Sequence, residues 1–237
     1  MTKKKKYDLV LTDRIEKAWD SGEVISAFVE GKRGYGKSAY CLKVAQSFYY
    51  RQGYDFDEAW EKALDSIYFK MDNIIDVMDE YSDDVGKRTP IIIWDDIGIH
   101  ANKYTYFNKM KETEMLKGLM DVIRTITAAM LMTTPSHKGI LKFLKEYDNH
   151  VIQISKRNSN YARKATGYEK YTLPSGTPRI AKDFEDYFEC YVPKQYYDRY
   201  QPKREKLAEE KIQEIKELAK QHGEKKEKAE KEAVGIA

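Results

Sequence analysis

Between an apolar run, VISAFVE, and an amphipathic one, AYCLKVAQSFYY, lies GKRGYGKS, Gly31 to Ser38, and no other stretch of the chain limits its fold as tightly. Three of the 13 glycines, Gly31, Gly34 and Gly36, fall within six residues, and a lysine and a hydroxyl follow them. The spacing is G-x-x-x-x-G-K-S. Glycine permits backbone angles that a Cβ forbids, so consecutive N–H groups can turn inward on an anion. The helix expected from Lys37 adds the positive end of its dipole. The candidate polyphosphate cradle therefore runs through Gly31, Lys32, Arg33, Gly34, Tyr35, Gly36, Lys37, Ser38 and Ala39. Lys37 would reach the β- and γ-phosphates as a mobile point charge, and the Ser38 hydroxyl would complete a Mg²⁺ shell otherwise made of phosphate oxygens and water.

The flanks supply the strand and the helix that such a loop joins. Val24–Val29 reads as the strand, and a helix from about Lys37 to Arg51 carries Ala39, Leu42, Ala45 and Phe48 on one face. Upstream, LTDRIEKAWDSG is a short helix with Thr12 or Asp13 as its cap and Gly22 near its end. Downstream, FDEAWEKALDS is a helix, IYFKMD a second strand and NIIDVMDEYSDD a further helix. After the turn signal VGKRTP comes IIIWDD, Ile91 to Asp96, apolar on both faces as a buried parallel strand is. An amphipathic helix over about Glu112 to Thr127, the strand AAMLMTT, the helix HKGILKFLKEY and the strand VIQISKR follow. Strands alternating with helices predict an α/β fold with a mainly parallel sheet covered on both sides.

Past Arg157 the chain turns Tyr-rich and is punctuated by turn dipeptides, which predicts antiparallel hairpins on the sheet edge. From Lys194 it becomes helical and highly charged, with Leu207, Ile212, Ile215 and Leu218 as a thin apolar stripe. The last dozen residues have too few apolar groups to be expected to order themselves. The expected organisation is a basic tail and helix over 1–22, a phosphate-loop core over 23–157, a hairpin extension over 158–193 and a charged helical tail over 194–237.

The acidic strand narrows the chemistry. Asp95, at the carboxyl end of a buried strand, is placed to hold a Mg²⁺-bound water, while Asp96 faces the space beyond the γ-phosphate and would orient or deprotonate an attacking water. The next strand ends in Thr133 and Thr134, either of which can hydrogen-bond that water or the γ-phosphate. Thr134 stands with Lys37 and Asp96 as a catalytic candidate, and Ser38 and Asp95 as the metal ligands.

GKRGYGKS, IIIWDDIG and the strand ending MLMTT resemble the Walker A, Walker B and sensor-one elements of the P-loop ATPases that carry an extra strand between the first two motifs. DDIG is similar to the corresponding stretch of bacterial replication initiators and helicase loaders of the AAA+ group, and the layout resembles small ATPases of archaeal viruses and plasmids. The resemblance covers roughly Val24 to Lys156. It implies a three-layer RecA/AAA-like sheet, ATP and Mg²⁺ as cofactors, homo-oligomers with sites at subunit interfaces, and work on DNA in replication initiation, helicase loading or genome packaging. Three departures stand out: aspartate replaces the family's usual glutamate at Asp96, PSHKGILKFLKEYDNH lacks the expected arginine finger, and no helical lid is evident. Arg157, Arg163 and Arg124 are the candidates to act as a finger from a neighbouring subunit.

Composition bounds the partners. With 41% hydrophobic residues the 237-residue chain can bury one sizeable core, and 34% charged residues cancel to a net +3, so nucleic-acid binding has to be argued from local clusters. One such cluster is Lys156, Arg157, Tyr161, Arg163, Lys164 and Tyr168, offering cations for phosphates and rings for unpaired bases. Cys41 and Cys190 suit ordinary packing in a reducing compartment, and no apolar run approaches membrane-spanning length, so a cytoplasmic protein is expected. The tail is a candidate docking site for a protein partner. The alternatives are a nucleotide or small-molecule kinase and a non-hydrolysing assembly protein; a GTP switch is disfavoured because NKYT, Asn102 to Thr105, lacks the aspartate of the base-reading motif.

Overall fold

The computed structural model describes residues 9–82, 87–99, 110–140, 144 and 149–234. They fall into two units, Met1–Val192 and Pro193–Ala237. The first carries strands β1 (Ile25–Glu30), β2 (Ile67–Tyr68), β3 (Thr89–Trp94), β4 (Thr127–Thr134), β5 (Asn149–Lys156), β6 (Ala162–Thr172) and β7 (Pro178–Glu189). Its helices are α1 (Val10–Ser21), α2 (Lys37–Arg51), α3 (Phe56–Asp65), α4 (Met71–Ser82) and α5 (Met110–Ile126). The second unit is the helix α6 (Lys194–Val234).

The strands form one sheet in the order β2-β3-β4-β1-β5-β6-β7. The first five are parallel, and β6 and β7 add to the edge of β5 as an antiparallel hairpin. This is the mainly parallel α/β sheet that the alternation predicted, with the antiparallel C-terminal strands expected from the turn signals after Arg157. β4 lies between β1 and β3, so the strand ending in the two threonines separates the loop strand from the acidic one.

Burial explains the layers. On one face Phe28, Ile92, Trp94, Met130 and Met132 of the sheet pack against Ile74 and Val77 of α4 and Leu116, Leu119, Met120 and Ile123 of α5. α2 covers the other face, and α1 joins it through an edge contact of Trp19 with Phe48. α3 begins with a capping box, Asp55 accepting from the Glu58 amide while Glu58 reaches back to the Asp55 amide.

Three local features differ from expectation. α1 begins at Val10 rather than after Thr12 or Asp13, because its cap comes from far along the chain: buried Asp186 of β7 accepts from the amides of Val10 at 2.6 Å and Leu11 at 3.3 Å, and from the Tyr40 hydroxyl at 2.6 Å. Burial pushes the Asp186 carboxyl above its ordinary value against the pull of these donors, and also raises the Tyr40 hydroxyl. IYFKMD gives only the two-residue β2, and its end starts α4. At the start of HKGILKFLKEY, His137–Gly139 is a single 3₁₀ turn, and residues 141–143 and 145–148 lie outside the described residues.

α6 runs to Val234, well into the segment expected to be too polar to order. Its Glu, Lys and Ala are strong helix formers, and charge pairs one turn apart, such as Lys211 with Glu214, support the helix beyond its buried Tyr196, Tyr200 and Leu207. Ile212 and Ile215 are exposed on it.

Asp186→Ala should lower the stability of the folded chain by about 3 kcal/mol, because three donors, two of them in buried hydrogen bonds, lose their acceptor together. Chemical denaturation measures this, and Asp186→Asn, which keeps one acceptor oxygen, should lose less.

Candidate functional site

The loop after β1 has the shape that its sequence requires. Gly36, the residue before α2, has φ 87°, and a Cβ there would lie 2.6 Å from the Cβ of Cys190. A Cβ on Gly31 would lie 2.8 Å from the Ile154 carbonyl oxygen. Both positions thus need glycine for space and, with φ 152° at Gly31 and 87° at Gly36, for conformation as well. Lys32, Arg33 and Gly34 are exposed at the loop tip, Tyr35 and Ala39 are half-buried, and a turn bond runs from the Tyr35 amide to the Lys32 carbonyl. Lys37 is buried, and its Nζ folds back to donate to the Gly31 carbonyl at 3.2 Å, so its charge lies across the loop.

Under the loop, Asp95 follows β3 and is fully buried. Its Oδ1 accepts from the Ser38 hydroxyl at 2.7 Å and the Thr133 hydroxyl at 2.6 Å. The Thr133 oxygen in turn accepts from the Asp96 amide at 2.9 Å. One threonine therefore fixes both acids. Asp96 is half-buried and has φ 54°, an uncommon conformation for a residue with a side chain, which the bond to Thr133 helps to hold. Thr134 is turned elsewhere, donating to the Ser136 carbonyl at 3.2 Å. The structure thus joins Thr133, and not Thr134, to the acidic pair. The next turn of α2 carries Cys41, whose thiol is pushed up by burial and then by the Asp95 carboxylate. Ser38 and Asp95 offer only oxygen, the donor set of a hard cation such as Mg²⁺.

A second carboxylate stands beside the loop. Glu30 ends β1 one residue before Gly31, and its Oε2 meets His137 twice, at the ring Nδ1 (2.6 Å) and the amide (3.2 Å). Neither residue belongs to a motif; the signal is topological, since parallel β1 and β4 bring their carboxyl ends side by side, with Glu30 opposite Thr134.

The antiparallel edge forms a wall of the site. Ile154 of β5 backs Gly31, Cys190 after β7 backs Gly36, and Lys156 Nζ lies 5.3 Å from the centre of the Tyr35 ring. Arg163 of β6 is 4% exposed and donates through Nε to the Tyr35 carbonyl at 3.1 Å. The basic and aromatic run is therefore split. Lys156, Arg157 and Tyr161 are exposed near the loop, Arg157 stacking over Tyr187, whereas Arg163 is buried in the wall. Lys164 pairs with Glu185, whose carboxyl is held down at about 2 by Lys182, Tyr187 and Lys164. Of the finger candidates, Arg124 lies in the last turn of α5, which leads into the start of β4 and so sits at the end of the sheet remote from the loop. His100, Asn102 to Thr105 and the N-terminal lysines lie outside the described residues. Cys41 and Cys190 are both free thiols. Among the described residues no helix is long and apolar enough to cross a membrane, and no cluster of three or more His, Cys, Asp or Glu is placed to hold a metal.

A parallel sheet with a glycine-lysine-serine loop after its central strand, a buried acid on the strand two places away and an extra strand between them defines a P-loop type of α/β domain. The chain belongs to the family of protein B-251 of Sulfolobus spindle-shape virus 1, with which it is 33% identical over 221 residues, 88% of this chain and 86% of that one. Protein ORF286 of Acidianus two-tailed virus is similar at 27% identity over 178 residues, 72% of this chain and 57% of that protein. Among solved structures, a KaiC-like protein of Pyrococcus horikoshii is similar at 15% identity and a TM-score of 0.34, over 69% of this chain and 93% of that one. No family model matches the chain.

Proposed function

We propose that the protein binds ATP with Mg²⁺ and hydrolyses it, and that as an oligomer it uses this turnover on DNA. The observation that carries the reading is the Ser38–Asp95–Thr133 chain of hydrogen bonds under a glycine-rich loop whose lysine donates back across it to the Gly31 carbonyl. Ser38 would hold Mg²⁺ directly and Asp95 through water. Mg²⁺, when bound, neutralises charge on the β- and γ-phosphates. Lys37 binds the same oxygens, and Asp96 orients the attacking water and takes its proton as the bond to the leaving ADP oxygen breaks. Thr133 keeps Asp96 in place by accepting its amide.

Exposed Lys156, Arg157 and Tyr161 at the loop end of the sheet support the DNA part, since cations beside a ring suit a strand with unpaired bases. The charged α6 is a site for a protein partner. The relatives from two viruses fit a virus- or plasmid-borne ATPase at work in the cytoplasm of a host cell.

The test is phosphate release from ATP at low salt, alone and with single- or double-stranded DNA. DNA should raise the rate, and Asp96→Asn should abolish turnover nearly completely while nucleotide affinity stays close to that of the wild type. Equal rates with and without DNA would remove the DNA part. Phosphate appearing on a nucleoside or metabolite instead of in solution would make the protein a kinase.

A further inference from the structure

We infer that Arg163 is a positioning residue for the triphosphate within its own chain: its guanidinium holds the Tyr35 carbonyl so that the next amide faces the ligand. The inference rests on the reading of the loop as a triphosphate cradle.

Arg163 is 4% exposed, and among the described residues its guanidinium meets two backbone oxygens, Tyr35 at 3.1 Å and Ala162 at 3.0 Å, and no carboxylate. Asp186, on the same face of the hairpin, is turned to α1 and Tyr40. A buried cation without an acid partner is costly, and a polyanion bound in the adjoining loop would supply the missing charge.

The contact also has a direction. Across a trans peptide the carbonyl of Tyr35 and the N–H of Gly36 point to opposite sides. With the carbonyl fixed on the hairpin side, the Gly36 N–H is turned away from the hairpin, toward the mouth of the loop. A charged donor on a carbonyl polarises the whole peptide and makes its N–H a stronger donor to an anion. Arg163 thus acts on phosphate through the Tyr35–Gly36 peptide, from β6 of the same chain, whereas an arginine finger would reach in from a neighbour.

Equilibrium binding of Mg·ATP to the full chain tests this, with unliganded thermal stability measured alongside. Wild type should bind and Lys37→Ala should lose binding, which establishes the cradle independently. Arg163→Gln, which removes the charge, should weaken binding by about thirtyfold, and Arg163→Lys, which keeps the charge without the planar Nε donor, by about three- to tenfold. A purely structural arginine would lower the unliganded melting temperature and leave affinity unchanged at temperatures where the variant is folded; that result overturns the inference while the cradle stands. Should Arg163→Gln not fold, Arg163→Lys with wild-type affinity overturns it equally. Mixing Lys37→Ala with Arg163→Gln separates the two arrangements: an arginine serving its own loop restores no turnover, and restored turnover would make it a finger acting between subunits. A wild-type chain that binds no triphosphate would end both readings at the first arm.

Discussion

Lys37→Ala should reduce ATP turnover by about two to three orders of magnitude and weaken Mg·ATP binding, with the fold intact. Removing one preorganised charge from a site where negative charge develops usually costs about this much. Lys37 is 8% exposed, and its Nζ lies 3.2 Å from the Gly31 carbonyl, so its ammonium is held over the loop. Alanine is the best helix former at this first position of α2, so the melting temperature should stay near that of the wild type. Phosphate release, equilibrium binding and a thermal melt on the same preparation make the check. Wild-type turnover from the alanine variant would mean that the loop does not grip the reacting phosphates.

Gly36→Ala should abolish nucleotide binding through shape alone. At φ 87° an alanine is strained by about 1–2 kcal/mol, and its Cβ would come within 2.6 Å of the Cβ of Cys190, a distance that real Cβ contacts do not show. The loop or the chain after β7 has to move, and either shift disturbs the amides next to Lys37. Cys190→Gly in the same chain removes the collision and leaves the backbone strain, so the double variant should regain part of the affinity. No recovery would show that the dihedral angle alone forbids the side chain. Full affinity in the single variant would mean that the loop rearranges on binding.

The parts of the fold readable in the sequence are those that depend on neighbouring residues. The loop announced itself through three glycines and a lysine, and the buried β3 through an apolar run with no alternation. The position of β4 between β1 and β3 followed from the motif resemblance, and pairing bears it out. What depends on distant residues was not legible. The cap of α1 lies about 175 residues along the chain, so local rules pointed to Thr12 or Asp13. Thr133 and Thr134 are chemically identical in sequence; opposite faces of a strand decide which meets Asp95. Arg163 looked like one cation in a basic run, and its burial against Tyr35 depends on β6 joining the sheet beside the loop.

That arrangement sets an order on biosynthesis. Gly31 leans on Ile154, Tyr35 on Arg163 and Gly36 on Cys190, so a ribosome must deliver the chain as far as Cys190 before the loop has its full backing. Asp186 closes α1 within the same late stretch. A nascent chain stalled before the hairpin would carry the complete glycine-lysine motif without the wall that shapes it, so the proposed nucleotide site would be assembled only late in translation.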